Sequence, residues 1–168
     1  MIRVIRFVHL LSTVSGFVST FLILSAVLVT TQMVFARYLF KLSTVWQTEY
    51  VIFSLAAATF IGAPYVLMKK AHVNVDIITH YLNPKANRVL FLIASGLALI
   101  FLFILFYTSI HLVHHAWVRN LKTPTIWSLP LWKVYIFLPL GTGLLILQYF
   151  ADIYSSLFNL KILKKKKR

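Results

Sequence analysis

Charged positions fall in short clusters along this chain, and between them lie four long uncharged stretches: Arg6 to Arg37, Glu49 to Lys69, Arg88 to Arg119 and Lys133 to Asp152. A helix that crosses a bilayer needs about 20 predominantly apolar residues. Each stretch is therefore long enough for one tilted span. The pattern predicts four transmembrane helices over residues 8–35, 46–68, 88–117 and 131–156, in a single all-α integral membrane domain with a basic tail at 161–168. The first stretch far exceeds the apolar core of a secretory signal, about 7 to 15 residues, and no small-residue cleavage site follows it. It is expected to remain in the mature protein.

The connections between spans differ in character. Val73, Ile77, Ile78, Tyr81 and Leu82 share one helical face, while Asn74, Asp76, Thr79 and Lys85 are polar, around the breaker Asn83-Pro84. That pattern fits a short amphipathic helix lying in the interface between the second and third spans, or a simple extension of the second span. The loop from Arg119 to Pro130 is polar and proline-bearing, and is expected to be ordered. Small residues four apart mark faces where helices approach closely in lipid. Ser12, Gly16 and Thr20 form such a stripe on the first span, Ser54, Ala58 and Gly62 on the second, and Ala94, Ser95, Gly96 and Ala98 cluster on the third. These faces predict an internally packed four-helix bundle. Pro64 and Pro139 should kink the second and fourth helices, because proline lacks the backbone donor, with Gly141 and Gly143 loosening the fourth further.

Composition supports the lipid environment and adds an orientation. Apolar residues make up 60% of the 168 positions and charged residues 12%, well below the roughly 25% of soluble domains. The net charge of +14 does not point to nucleic acid, because the bases flank apolar runs instead of covering a polar surface. Twelve Lys and Arg residues fall at the N-terminus, the second loop and the tail, against five in the first and third loops. Since the excess marks the cytoplasmic side, both termini are predicted to be cytoplasmic. Trp46, Trp117, Trp127 and Trp132 all fall at the opposite ends of the helices, where the indole favours the interface.

Candidate chemistry is sparse. With no cysteine, thiolate catalysis and thiolate-ligated metals are excluded. No phosphate loop, nucleophile motif or carboxylate pair occurs, so no enzyme is expected. Glu49 admits two readings: a proton or cation site, or a partner for Arg37 or Lys41 across the first loop. The second is favoured because a transport carboxylate belongs near the membrane midplane. His111 and His115 have the i, i+4 spacing of paired metal ligands, without an evident third. His9 lies at the other membrane face and cannot share a haem with His111. His72 and Asp76, also four apart, read as a local cap or a partner contact. A small proton-coupled exporter using Glu49 and a haem-bearing electron-transfer subunit are the alternative functions.

The ordered set Arg37-Tyr38, Trp46-Gln47-Thr48-Glu49, His72-Val73-Asn74-Val75-Asp76, Leu129-Pro130-Leu131-Trp132 and Pro139-Leu140-Gly141 resembles the small, DctQ-like membrane subunit of tripartite ATP-independent periplasmic (TRAP) transporters over nearly the whole chain. Lys69-Lys70 departs from the Arg expected before the histidine. The resemblance implies a bacterial inner-membrane protein that binds no cofactor itself. Its partners would be a large membrane transport subunit, which carries the sodium and substrate sites, and a periplasmic substrate-binding protein that delivers an organic anion. It further implies that Arg37, Trp46 and Glu49 order the outer hairpin and His72 with Asp76 the inner loop; Trp132, Pro139 and Gly141 from its last-span pattern, and Gly62 from the small-residue stripe, are candidates for structure or partner contact.

Overall fold

The computed structural model describes residues 2–69 and 84–157. Helix α1 spans Ile2–Phe40, α2 Val45–Met68, α3 Pro84–Val118, α4 Leu131–Tyr135 and α5 Phe137–Leu157. Among the described residues four segments are long and apolar enough to cross a membrane: Ile5–Phe40, Val45–Met68, Ile93–Val118 and Leu131–Tyr154. The first is longer than the sequence pattern predicts. The candidate amphipathic helix, with His72 and Asp76, and the basic tail lie outside the described residues.

Local chemistry accounts for the helix ends. Helix α3 opens at Pro84, whose missing N–H removes a donor that a first turn leaves unpaired. It closes at Asn120 in the left-handed region, φ 47°. The Asn120 N–H returns to the Trp117 carbonyl and the Leu121 N–H to Ala116, the Schellman arrangement, in which asparagine is the usual substitute for glycine. Helix α1 ends similarly at Lys41, φ 51°, with the Leu42 N–H returning to Ala36. The last span is interrupted at Ile136, between α4 and α5. Pro139 lies one turn later and cannot donate to the Tyr135 carbonyl. Helix α2, by contrast, runs through Pro64 without interruption.

Helices α1 and α2 form an antiparallel hairpin, and α5 packs against α2, α3 and one end of α1. Small residues dominate the interior. Ser12, Ser15, Ser19, Ala26, Ala57, Ala58, Ser95, Ser109, Ala116 and Thr142 are buried, while Phe17 is 73% and Phe21 72% exposed. Small groups inside and large apolar groups outside is the distribution expected where close helix approach, not exclusion from water, drives packing. Gly16 sits against the Tyr65 ring, where a Cβ would lie 2.5 Å from Cγ, and Gly62 sits against Ser19.

The predicted stripes need two corrections. Ser19, not Thr20, continues the face of Ser12 and Gly16, for Ser19 is buried and Thr20 exposed. Seven residues return a helix to nearly the same azimuth, about 20° short, whereas eight overshoot by about 80°. On α3 only Ser95 of the predicted cluster is buried. Ala94 is exposed, and a Cβ at Gly96 would meet nothing within 4 Å. Rather than a closed bundle, α3 is held chiefly through the last span, leaving Ile93, Leu97, Ile100, Phe101 and Ile104 exposed.

Candidate functional site

Polar side chains collect in two places: along the packed helices, beginning near the end where α1 starts and α5 finishes, and at the opposite rim. In the first, Ser12 Oγ donates to Gln148 Oε1 at 2.8 Å, and Gln148 Nε2 donates to Asp152 Oδ1 at 3.0 Å. Gln148 is fully buried. An amide carries both donor and acceptor, so it can join a hydroxyl on α1 to a carboxylate on its own helix. Nearby, Ile5, Val8 and Ala151 form an apolar cluster with Tyr154. Farther along α1, Ser19 Oγ donates to the Ala58 carbonyl at 2.8 Å, and the Tyr50 hydroxyl donates to Ser25 Oγ at 3.0 Å. Apart from the Gln148–Asp152 bond within α5, these bonds join spans to one another. They leave the buried hydroxyls occupied instead of presenting them to a passing solute.

At the opposite rim, the turn after Lys41 brings Arg37 over the start of α2, where Arg37 Nη2 donates to Thr44 Oγ1 at 2.6 Å. The Thr44 hydroxyl oxygen accepts this bond, and Thr44 makes no side-chain cap to α2. The loop between α3 and α4 folds as a small hairpin. The Thr123 N–H donates to Leu129 O, the Leu131 N–H to Leu121 O, and the Leu129 N–H to Thr123 Oγ1. This hairpin carries Trp127 onto Trp46, with ring centroids 6.5 Å apart, while Trp117 and Trp132 meet edge to face at 4.5 Å. Lys133 lies over the Trp132 ring, 5.7 Å from its centroid.

Two adjoining recesses open between the α1–α2 turn and this hairpin. One, about 450 Å³, is lined by Arg37, Thr44, Thr48, Glu49 and Thr125. The other, about 530 Å³, is lined by Trp46, Ile126 and Trp127. Ser43 and Val45 border both. The ion pair expected between Glu49 and Arg37 or Lys41 is not made. Arg37 is engaged by Thr44, and Glu49 Oε2 is buried without a hydrogen-bond partner.

The structure thus brings Arg37, Trp46 and Glu49 to one rim, with Trp132 on the neighbouring Trp117. Gly62 and Gly141 lie elsewhere, at helix crossings: Gly62 against Ser19, and Gly141 so close to Phe60 that a Cβ would overlap its backbone carbonyl. Pro139 is half-buried in the first turn of α5. His111 contacts Tyr107 edge to face, 4.6 Å between centroids, and His114 and His115 are exposed. Half-buried His9 is at the other end of α1. Among the described residues no three His, Asp or Glu side chains assemble as a metal-ligand set. Gln148 is absent from the residues that the sequence singles out. Its signal was an amide inside an apolar run, one turn before Asp152.

The model of the family described as "Tripartite ATP-independent periplasmic transporters, DctQ component" matches residues 26–159. A C4-dicarboxylate TRAP transporter small permease protein DctQ from Rhodobacter capsulatus is 25% identical over 108 residues, 64% of this chain and 47% of that protein. The match thus spans about half the relative's length. No solved structure matches the chain.

Proposed function

The chain belongs to the DctQ component family of tripartite ATP-independent periplasmic transporters, and we propose that it braces the large transport subunit of a sodium-coupled, binding-protein-dependent importer of organic anions. It is a transporter component, not an enzyme. In this reading both termini lie in the cytoplasm, and the tryptophan rim faces the periplasm of an inner membrane. Sodium and substrate are held by the large subunit, and the rim helps to dock the substrate-binding protein. The relative's name specifies C4-dicarboxylates, and a carboxylate is the substrate class proposed here.

The buried polar groups are the observation that supports this reading best. Ser12 to Gln148, Ser19 to the Ala58 carbonyl and partly buried Tyr50 to Ser25 bond across helix contacts, and Gln148 is held to Asp152 within its own helix, which stiffens a frame. A carrier is expected to hold broken helices and unsatisfied ligands near the midplane, whereas here the interruption at Ile136 and the unpaired His9 Nδ1, Gln47 Oε1 and Glu49 Oε2 lie toward the ends of the spans. The exposed apolar faces of α1 and α3 offer a long membrane-embedded surface to a larger neighbour. Co-expression with the large membrane subunit of the same transporter and affinity purification from mild detergent should recover a stable heteromer. Transport in proteoliposomes should require both chains and the binding protein. Sodium-dependent uptake or proton-coupled efflux by this chain alone would overturn the reading.

A further inference from the structure

Ser95, Leu102, Ser109 and Ala116 recur every seven residues along α3, and all four are buried. A seven-residue repeat keeps one face of a helix on the same neighbour along its length, and that neighbour is the last span. The opposite side carries a second seam, Leu97, Ile100, Ile104, Tyr107, His111 and His114, spaced alternately by three and four residues and exposed throughout. We propose that this outer seam is where the large membrane subunit of the transporter packs, with His111 and His114 as its polar contacts. The proposal rests on the bracing function above and selects α3, not α1, as the docking helix.

Depth makes the histidines informative. Both lie within the span Ile93–Val118, and His111 precedes Trp117 at the rim by six residues, about 9 Å along the helix. An imidazole that far inside the tryptophan level is costly against acyl chains, and ionisable side chains within spans almost always face protein or water. Both rings are nevertheless exposed. Among the described residues neither has a hydrogen-bond partner, and His111 meets only the edge of the Tyr107 ring, 4.6 Å between centroids. A neutral imidazole offers one donor and one acceptor. A protein helix with a hydroxyl, amide or carboxyl group at this depth supplies what lipid chains do not, and it covers the apolar part of the seam from Leu97 to Ile104.

The outer face of α1 makes no such demand. Its exposed Thr20 and Thr31 bond back to the carbonyls of Gly16 and Val27, and exposed Gln32 is only five residues from Arg37 at the rim. Phe17, Phe21, Leu24 and Leu28 on that face suit lipid. Helix α3 is also the least buried of the four spans. It is held chiefly through the last span, which leaves its outer seam open on both flanks. A second copy of this chain fits the seam poorly. Two copies inserted in the same orientation and paired through α3 would set the exposed Arg119 and Lys122 of one against those of the other, and like charges across an interface are unfavourable.

A photo-crosslinking amino acid placed at Ile100 or Ile104 on α3, or at Phe21 or Leu28 on α1, would be activated in membranes that hold this chain together with the large subunit of the same transporter. The α3 positions should give the dominant adduct between the two chains. His111→Leu should lower the heteromer retained on dilution in detergent about threefold, the scale of one interhelical hydrogen bond. His111→Gln, which keeps a donor and an acceptor, should restore it, and neither change should alter thermal unfolding of the isolated chain, because the ring is exposed. Adducts chiefly from the α1 positions, adducts joining two copies of this chain through α3, or lipid adducts alone at every position would overturn the assignment. Retention unchanged by His111→Leu would do the same. In each of these cases continued co-purification of the two subunits leaves the bracing function standing, whereas subunits that never co-purify would reject both.

Discussion

Ser12 Oγ lies 2.8 Å from Gln148 Oε1, a hydrogen bond that joins the first span to the last across 136 positions of sequence. Because Gln148 also donates to Asp152, the amide is the hinge of a three-residue polar tie in an otherwise apolar contact. Interhelical bonds in membranes contribute about 0.6 kcal/mol on average and up to about 1.7. Gln148→Leu is expected to destabilise the chain by about 1–2 kcal/mol, since it removes both bonds. A double-mutant cycle with Ser12→Ala, followed by SDS unfolding in mixed micelles, should give a coupling near about 0.6 kcal/mol. A coupling of zero would show that the bond contributes nothing.

Gly141 and Gly96 should respond oppositely to the same change. A Cβ at Gly141 would overlap the Phe60 carbonyl, whereas at Gly96 it would meet open space. Gly141→Ala is expected to cost about 1–3 kcal/mol through forced separation of α2 and α5. Gly96→Ala should be neutral or gain up to about 1 kcal/mol from helix propensity. Thermal unfolding of the two variants in detergent provides the comparison.

The Schellman ending of α3 predicts a specific substitution order at Asn120, which sits at φ 47°. Asn120→Gly should be tolerated, and Asn120→Val should lose about 1–2 kcal/mol, because a branched Cβ crowds the carbonyl in the left-handed region. Equal stability of the two variants would argue against this conformation in the membrane.

All four indoles lie at one rim, in the contacts Trp46–Trp127 and Trp117–Trp132. Tryptophan fluorescence in liposomes should therefore be quenched more by lipids brominated near the headgroup than by lipids brominated near the chain terminus. Dominant quenching from the deep position would mean that the spans are misregistered.

The absence of cysteine makes an orientation test simple. Lys122 and Lys69 are exposed at opposite ends of the spans. Lys122→Cys should react with a membrane-impermeant maleimide added to the periplasmic side, and Lys69→Cys only after the inner membrane is opened. The reverse pattern would invert the proposed topology.

The sequence alone determined the number of spans, their approximate limits and the rim where tryptophan gathers. Each depends on local quantities: the length of an uncharged run sets whether a helix can cross, and an indole finds the interface wherever its helix ends. It also indicated Gly16, Gly62 and Gly141, because small residues are legible in any apolar run. Only the tertiary structure decided which small residues meet a neighbour. Lipid-facing and protein-facing surfaces are both apolar here, so periodicity could not separate buried Ser19 from exposed Thr20, or packed Gly141 from open Gly96. It likewise decided that Arg37 binds Thr44 and leaves Glu49 Oε2 unpaired, and that Gln148 reaches Ser12. Hydrogen-bond partners are chosen by distances across the assembled helices, and no one-dimensional pattern encodes those distances.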